Sequence, residues 1–290
     1  MTLCHLRAAA TRRASGSLRT FFPTPQLISF KLSALIQLHS KMSTQAASTQ
    51  DDRYMIWLDI DNTLYSASTR ISQAMGERIH AYFLSLGFPE EEATDLHHKY
   101  YTQYGLALRG LVRHHQIDAL DFDRKCDGSL PLEDILEPDH KLRKLLEDMD
   151  RSKARVWALT NAYKTHAKRV LGILGVEDQV EGVVFCDYSN PQFACKPEPE
   201  YFHNAMQKAN LQDLSKCCFV DDSRANVRAA KRLGWGRCVH FCERGLVTVE
   251  GGKAKEIGRD GALDPEDEGI TVITDLEELR TVWSDLFKAS

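Results

Sequence analysis

The chain has 290 residues, of which 43% are hydrophobic and 27% charged, as in an ordinary globular protein. Its formal net charge of -4 gives no electrostatic basis for binding nucleic acid or an anionic membrane surface. No segment approaches the ~18 uninterrupted apolar residues that a membrane-spanning helix needs. We therefore expect a small-molecule partner, no nucleic acid and no integral membrane association; the sequence does not identify protein partners.

The first fifty residues differ in composition from the rest, because the first acidic residue of the chain is Asp51. Basic residues recur there among Ser, Thr, Ala and Leu, which is typical of a mitochondrial transit peptide. Met42 opens a second sequence suited to a translation start. Residues 1–50 are therefore either a disordered or targeting extension or the product of an upstream start codon. We expect a cytoplasmic protein, with a nuclear pool also possible, or a mitochondrial one if the extension is a genuine transit peptide.

The predicted elements alternate along the chain from Arg53 onward. Short apolar runs predict strands at 54–60, 155–159, 183–186, 217–220, 238–241 and 270–273. Helical patterns occur at 71–115 with a break at 87–89, and at 164–174, 199–209, 224–233 and 276–287. Strands that alternate with single helices indicate an α/β fold built on a doubly wound parallel sheet.

The helical stretch after the first strand is too long for one crossover connection. We interpret residues 69–135 as a helical cap inserted into an α/β core formed by 51–68 and 136–290. The segment 245–269 is rich in glycine and charge, and we expect it to be a surface loop. The eight cysteines include no C-x-x-C pair, which favours reduced thiols over a metal site.

Polar residues follow four of the predicted strands. They are Asp59 and Asp61, then Thr160 and Asn161, then Lys196, then Asp221 and Asp222. The carboxyl ends of parallel strands form the ligand-binding edge of an open α/β sheet, so these side chains are expected to converge.

Such a cluster of carboxylates has a chemical consequence. Two carboxylates at 4 Å repel by ~4 kcal/mol at an effective dielectric constant of about 20, so a cation is required, and all-oxygen ligands favour Mg²⁺. Lys196 offsets part of the charge, while Thr160 and Asn161 offer neutral donors to an oxyanion such as phosphate. Of the two carboxylates after the first strand, one can attack as a nucleophile and the other can act as acid and base.

The ordered motifs resemble those of the haloacid dehalogenase superfamily of phosphohydrolases. The resemblance covers about 54 to 245 and lies in Asp59-Ile60-Asp61-Asn62-Thr63-Leu64-Tyr65, Thr160-Asn161, Lys196-Pro197 and Val220-Asp221-Asp222-Ser223. It implies a Rossmann-like core with an inserted helical cap. It also implies an Mg²⁺-dependent phosphatase that forms an aspartyl-phosphate intermediate.

The resemblance also implies a role for each motif residue. Asp59 is the expected nucleophile and, with the backbone carbonyl of Asp61, an Mg²⁺ ligand; Asp61 is the expected general acid and base. Thr160 is expected to bind the phosphoryl group, and Lys196 to neutralise nucleophile and phosphate. Asp221 and Asp222 complete the metal site, with either one as the direct ligand. Thr63 and Asn161 are assigned to phosphate binding.

A closer likeness concerns the substrate. The strings Thr160-Asn161-Ala162-Tyr163, Cys186-Asp187-Tyr188, 104–111 and 129–132 resemble the fungal pyrimidine 5′-nucleotidase and lysophosphatidate phosphatase group. This implies hydrolysis of UMP or CMP, with lysophosphatidate or a sugar phosphate as the alternative. In the cap, the residues predicted to contact the substrate are Tyr100, Tyr101 and Tyr104, by stacking on a base, and Arg109 or His114, by hydrogen bonds to a sugar or base edge. A non-catalytic binding or regulatory module is the remaining alternative, although every motif residue is present.

Overall fold

The computed structural model describes residues 51–258 and 265–289. The chain divides into a unit of residues 1–50 and a unit of residues 51–290, and every element below belongs to the second. The prediction of a disordered or targeting extension over 1–50 lies outside the described residues. Within the described ranges, no helix is both long enough and apolar enough to cross a bilayer.

Six parallel strands form the central sheet in the order β3-β2-β1-β4-β5-β8. Their bounds are β1 Tyr54–Leu58, β2 Ala154–Leu159, β3 Gly182–Val184, β4 Cys217–Asp221, β5 Arg237–Phe241 and β8 Ile270–Ile273. This order confirms the predicted doubly wound sheet. It also places β1 and β4 side by side at the centre, where the strand order reverses and ligands bind in such folds.

The central strands are buried on both faces, as a covered parallel sheet requires. Met55 and Trp57 of β1 belong to one hydrophobic cluster, whereas Ile56 and Leu58 belong to a second cluster on the opposite face. This alternation follows from the two-residue period of a strand. Helices pack on both sides, and the strand ends are held in fixed register.

Six α-helices lie between β1 and β2. The first four are α1 Ile71–Ser85, α2 Glu90–Tyr104, α3 Ala107–His114 and α4 Ala119–Lys125, and they occupy most of the segment 69–135 that the sequence predicts to be a cap. The helices of the remaining chain are α5 Leu132–Ile135, α6 His140–Glu147, α7 Lys164–Ile173, α8 Pro199–Lys208, α9 Arg224–Arg232 and α10 Leu279–Val282.

The predicted helix at 276–287 is interrupted. Only α10 is α-helical there, between 3-10 turns at Leu276–Glu278 and Ser284–Leu286. Trp283 leaves the helical region with φ -119° and ψ 37°, and its side chain is fully buried. The gain from burying this indole and the neighbouring Leu286 outweighs the continuation of a short helix.

The prediction of a surface loop over 245–269 is wrong at 247–256, where the chain forms two strands and a tight turn. Strands β6 Val247–Glu250 and β7 Lys253–Glu256 pair as an antiparallel hairpin. Its turn consists of Gly251 and Gly252, which both have positive φ, the backbone that a two-residue hairpin turn needs. The adjacent glycines after Val247–Glu250 were a turn signal in the sequence, but Lys253–Glu256 is Lys-Ala-Lys-Glu, which has no strand-favouring residue to predict the second arm.

Candidate active site

The structure brings the predicted motif residues together at the carboxyl ends of β1, β2 and β4. Lys196 lies among them, fully buried, and its Nζ donates three hydrogen bonds: to Asp59 Oδ1 at 2.6 Å, to Asp221 Oδ2 at 2.7 Å and to the carbonyl oxygen of Leu159 at 2.7 Å. Burial alone would lower the pKa of Lys196, but Asp221 and Asp59 raise it above its usual range. The lysine therefore stays charged and ties three strand ends together.

Asp59 is held by a second contact on its other oxygen. Thr63 Oγ1 donates to Asp59 Oδ2 at 3.0 Å and accepts from the backbone N–H of Asp222 at 3.1 Å. Thr63 thus links the two acidic segments rather than standing free toward the cavity. Burial and the charge of Asp221 raise the pKa of Asp59 to about 7, although Lys196 opposes that rise.

Asp61 occupies a separate environment. His166 Nε2 lies 2.7 Å from Asp61 Oδ1, and the Tyr65 hydroxyl donates to the same oxygen at 2.7 Å. Although burial would raise the pKa of Asp61, the charge and hydrogen bond of His166 lower it. Burial opposes the imidazolium, yet Asp61 raises the pKa of His166 to about 9. Asp61 and His166 therefore share a proton across this 2.7 Å contact.

Sequence reasoning missed His166. The residue lies in the first turns of α7, just after the Thr160-Asn161 motif. Its place near a strand end was visible in the sequence. The sequence did not show that the helix would direct His166 toward the carboxylate of Asp61, which is 105 positions away.

Thr160 and Asn161 have different surroundings. Thr160 is fully buried, and its Oγ1 lies 3.4 Å from Asp61 Oδ2 and accepts from the backbone N–H of Ala162 at 3.0 Å. Both ends of the Asn161 side chain bind the backbone of Lys196, at 2.7 and 2.9 Å. Asn161 therefore fixes the lysine loop, and its side chain has little capacity left for phosphate.

Asp221 and Asp222 also have different surroundings. Asp221 is fully buried; besides Lys196, it accepts from Asn226 Nδ2 at 3.1 Å and from the backbone N–H of Ser223 at 2.7 Å. Asp222 lines the cavity, and no described residue donates a hydrogen bond to its carboxylate. Burial and the charges of Asp59 and Asp221 raise the pKa of Asp222 well above its usual value.

The donor set fits a divalent cation. Oxygen atoms of Asp59, Asp221 and Asp222 lie within 4.8 Å of one another, and Lys196 is the cation that the structure places on two of them. Three carboxylates and one lysine leave an excess of two negative charges. All-oxygen ligation by carboxylates suits Mg²⁺.

A cavity of about 590 Å³ opens above this cluster. Asp59, Asp61, Asp222 and Lys196 lie at its base, while Tyr101 and Phe122 of the cap helices contribute to its walls. This volume is in the range of small-molecule sites.

The structure does not bring Tyr104 and Arg109 to this cavity. The Tyr104 hydroxyl hydrogen-bonds Nε2 of His114 at 2.7 Å. Arg109 forms a buried ion pair with Glu198 at 3.0 Å and packs over the ring of Phe193. The prediction of substrate contacts by these two residues therefore needs correction. Tyr104 ends α2 and its hydroxyl contacts α3, whereas Arg109 joins α3 to the loop that carries Lys196.

The hairpin β6–β7 covers the cavity and was not predicted to reach it. Val249, Glu250 and Gly252 line the cavity. A Cβ built on Gly252 would lie 2.8 Å from His97 Nδ1, and one on Gly76 would lie 2.9 Å from Val249 Cγ1. Glycines therefore allow the hairpin and the cap helices to approach closely.

Comparison with protein families agrees with this geometry. Residues 55–234 match the family model of the haloacid dehalogenase-like hydrolases. The chain therefore belongs to the haloacid dehalogenase-like hydrolase family, which confirms the resemblance found in its motifs.

Individual proteins are also similar to this chain. Phosphate metabolism protein 8 of Saccharomyces cerevisiae is 40% identical over 200 residues, which are 66% of this chain and 62% of the yeast protein. The chain thus spans less than two thirds of that relative. Among solved structures, a haloacid dehalogenase-like hydrolase from Xanthomonas campestris is 13% identical, with 81% of this chain and 92% of that chain covered and a TM-score of 0.49. The hydrolase YfnB from Bacillus subtilis is 15% identical, with 80% and 99% covered and a TM-score of 0.48.

Proposed function

We propose that this protein is an Mg²⁺-dependent phosphomonoester hydrolase that acts through an aspartyl-phosphate intermediate on Asp59. The observation that carries the proposal is the separation of two carboxylates at one cavity. Asp59 is fixed among Lys196, Thr63 and the acidic cluster, while Asp61 is paired with His166. The two carboxylates are therefore not interchangeable: Asp59 lies in the cluster that would hold the cation, and Asp61 lies beside a titratable histidine that can supply a proton.

The reaction follows from these positions. A carboxylate oxygen of Asp59 attacks the phosphorus, and the bond from phosphorus to the ester oxygen breaks. Asp61 takes up the proton that it shares with His166 across their 2.7 Å contact and gives it to the departing alcohol oxygen. Asp61 then takes a proton from a water molecule that attacks the aspartyl phosphate, which releases inorganic phosphate and restores Asp59. Lys196 neutralises the charge that gathers around Asp59.

Asp222 is the better candidate for the direct metal ligand. The Asp221 carboxylate already accepts hydrogen bonds from Lys196 and Asn226, whereas Asp222 faces the cavity. We assign the metal to Asp59, the backbone carbonyl of Asp61 and Asp222, with Asp221 supporting Lys196. When bound, Mg²⁺ supplies Lewis-acid stabilisation of the phosphoryl oxygens.

The proposed substrates are pyrimidine nucleoside 5′-monophosphates, UMP and CMP. The resemblance of 104–111 and 129–132 to the fungal nucleotidase group supports this choice. So does the cavity, whose volume of about 590 Å³ and whose lining by Tyr101 and Phe122 suit a base and a sugar.

A cytoplasmic location is proposed on the cysteines. All seven cysteines that the structure describes are free and buried, which suits a compartment that keeps thiols reduced.

The test is release of inorganic phosphate, with Mg²⁺, from UMP, CMP, AMP, lysophosphatidate and several sugar phosphates. We expect release from UMP and CMP, its loss on addition of EDTA and its recovery on addition of excess Mg²⁺. Release only from a lipid or sugar phosphate would keep the mechanism and overturn the substrate. Activity that EDTA does not change would overturn the metal assignment, and no release from any compound would favour the non-catalytic module.

A further inference from the structure

One wall of the cavity carries a buried acceptor that the proposed reaction does not use. Asp127, at the start of the 3-10 turn Asp127–Ser129, is 4% exposed and lines the cavity. No residue in the described ranges donates a hydrogen bond to its carboxylate. A buried acceptor without a donor destabilises a fold, so an apolar side chain would be more stable at this position.

A second group on the same wall also lacks a partner. His166 is 2% exposed and lines the cavity. Its Nε2 lies against Asp61, but its Nδ1 has no hydrogen-bond partner in the described part of the chain. His166 and Asp127 act on each other electrostatically but do not form an ion pair within 4.0 Å. The wall therefore offers a carboxylate acceptor and an imidazole nitrogen with space between them.

The position of this wall identifies the part of the substrate that meets it. Asp61, which gives its proton to the departing oxygen, lies directly against His166. The alcohol part of the substrate begins at that oxygen and extends away from the acidic cluster. Carbon atoms a few bonds beyond the ester oxygen therefore lie within reach of His166 and Asp127.

We infer that Asp127 and Nδ1 of His166 form a binding subsite for hydroxyl groups of the alcohol part of the substrate. The substrate is then the phosphate of a polyol such as ribose. The inference rests on the proposed function, because it uses Asp61 as the proton donor to the leaving oxygen. An acyl chain could satisfy neither group, so the subsite favours substrates that carry free hydroxyl groups near the ester oxygen over substrates that present only hydrocarbon there.

The experiment varies the hydroxyl groups of the substrate and the acceptor in the protein. The substrates are UMP, 2′-deoxy-UMP, 2′,3′-dideoxy-UMP, ribose 5-phosphate, 2-deoxyribose 5-phosphate and 1-oleoyl lysophosphatidate. Phenyl phosphate, which has no hydroxyl group, reports phosphoryl transfer independently of the subsite. For the wild type, we expect kcat/KM to fall about tenfold or more when the hydroxyl groups are removed.

Two variants test the residue. Asp127→Leu keeps the size of the side chain and removes the acceptor, so the ratio of hydroxylated to deoxy substrate should fall to near one. Asp127→Asn keeps one acceptor oxygen and should retain part of the ratio; it also provides a polar replacement if the leucine variant does not fold. Asp134→Asn, on the exposed face of α5, is the matched control and should keep the wild-type ratio.

Two results would overturn the subsite. One is a wild-type enzyme that hydrolyses hydroxylated and deoxy substrates equally well. The other is a ratio that stays unchanged in Asp127→Leu while phenyl phosphate is still hydrolysed. In both cases phosphatase activity remains, so the proposed function survives. Absence of release from every compound, phenyl phosphate included, would instead overturn the proposed function together with the subsite.

Discussion

The base of the cavity and its cover are held in place by different interactions. At the base, Lys196 joins Asp59 and Asp221 through charge-assisted hydrogen bonds of 2.6 and 2.7 Å. The cover consists of the hairpin β6–β7 and the helices α1 and α2. There, Val249 packs against Gly76, and Gly252 packs against His97. Charge-assisted hydrogen bonds therefore hold the base of the cavity together, whereas close packing at glycines holds its cover in place.

This difference separates the chemistry from the choice of substrate. A charged base fixed by strand ends can perform one reaction on any phosphate ester, since it contacts only the phosphoryl group. The cover contacts the rest of the substrate and is built from segments far apart in the chain. Changes at the base should therefore alter the rate, whereas changes at the cover should alter stability and binding.

The largest expected effect is at the base. Asp59→Asn removes the nucleophile but keeps the shape of the side chain, and Lys196 retains its bond to Asp221. We expect kcat to fall by on the order of 10³-fold or more, with no phosphoenzyme after acid quenching. Thermal unfolding should shift by only a few degrees.

Asp134→Asn makes the same chemical change on an exposed helix and should leave kcat unaltered. An active, phosphorylated Asp59→Asn enzyme would show that another residue is the nucleophile.

The next effect concerns His166, which positions Asp61 as the proton donor. His166→Asn removes the 2.7 Å contact to Asp61 Oδ1. We expect kcat/KM for an alkyl phosphate to fall about 10- to 100-fold, because an alkoxide needs the proton. For p-nitrophenyl phosphate, whose phenolate leaves unprotonated, the fall should be less than about threefold.

The measurement is kcat/KM because it reports only the steps up to departure of the alcohol. Tyr65→Phe removes the other hydrogen-bond donor to Asp61 Oδ1. It should also lower kcat/KM more for the alkyl phosphate than for p-nitrophenyl phosphate, but by a smaller factor than His166→Asn does. If His166→Asn lowers kcat/KM equally for both substrates, His166 supports the fold rather than the position of Asp61.

The contrast between the base and the cover of the cavity also explains which parts of the site the sequence could predict. Asp59, Lys196 and Asp221 each lie just past a strand, so the sheet topology alone brings them together. His166 contacts Asp61 through the orientation of a helix that no local pattern records. The hairpin had a readable turn at Gly251 and Gly252, but its packing against the cap depends on pairs of residues more than 150 positions apart.

The assignments of Tyr104 and Arg109 failed for a related reason. Aromatic and basic residues at helical spacing can face a cavity or a neighbouring segment, and the sequence does not distinguish the two. Here Arg109 pairs with Glu198, two residues after Lys196, so it connects α3 to the loop that carries Lys196. The ion pair with Glu198 determines which way the Arg109 side chain points, and Glu198 lies 89 positions away in the chain.

The smallest expected effect tests the cover through pH. Burial lowers the pKa of His97 to about 4, well below the usual 6.5 of a histidine, and its ring stacks on Phe83 beneath Gly252. Between pH 6.5 and 4 the unfolded chain therefore binds a proton that the folded chain excludes, and stability falls as the pH falls.

We expect His97→Gln to be less stable than the wild type at pH 7 because it loses the stacked ring, and to lose less stability on going to pH 5. Urea unfolding of both proteins at pH 7, 6 and 5 measures the difference, which should be on the order of 1 kcal/mol. Parallel losses in the two proteins would mean that His97 titrates normally and that the hairpin does not seal it from water.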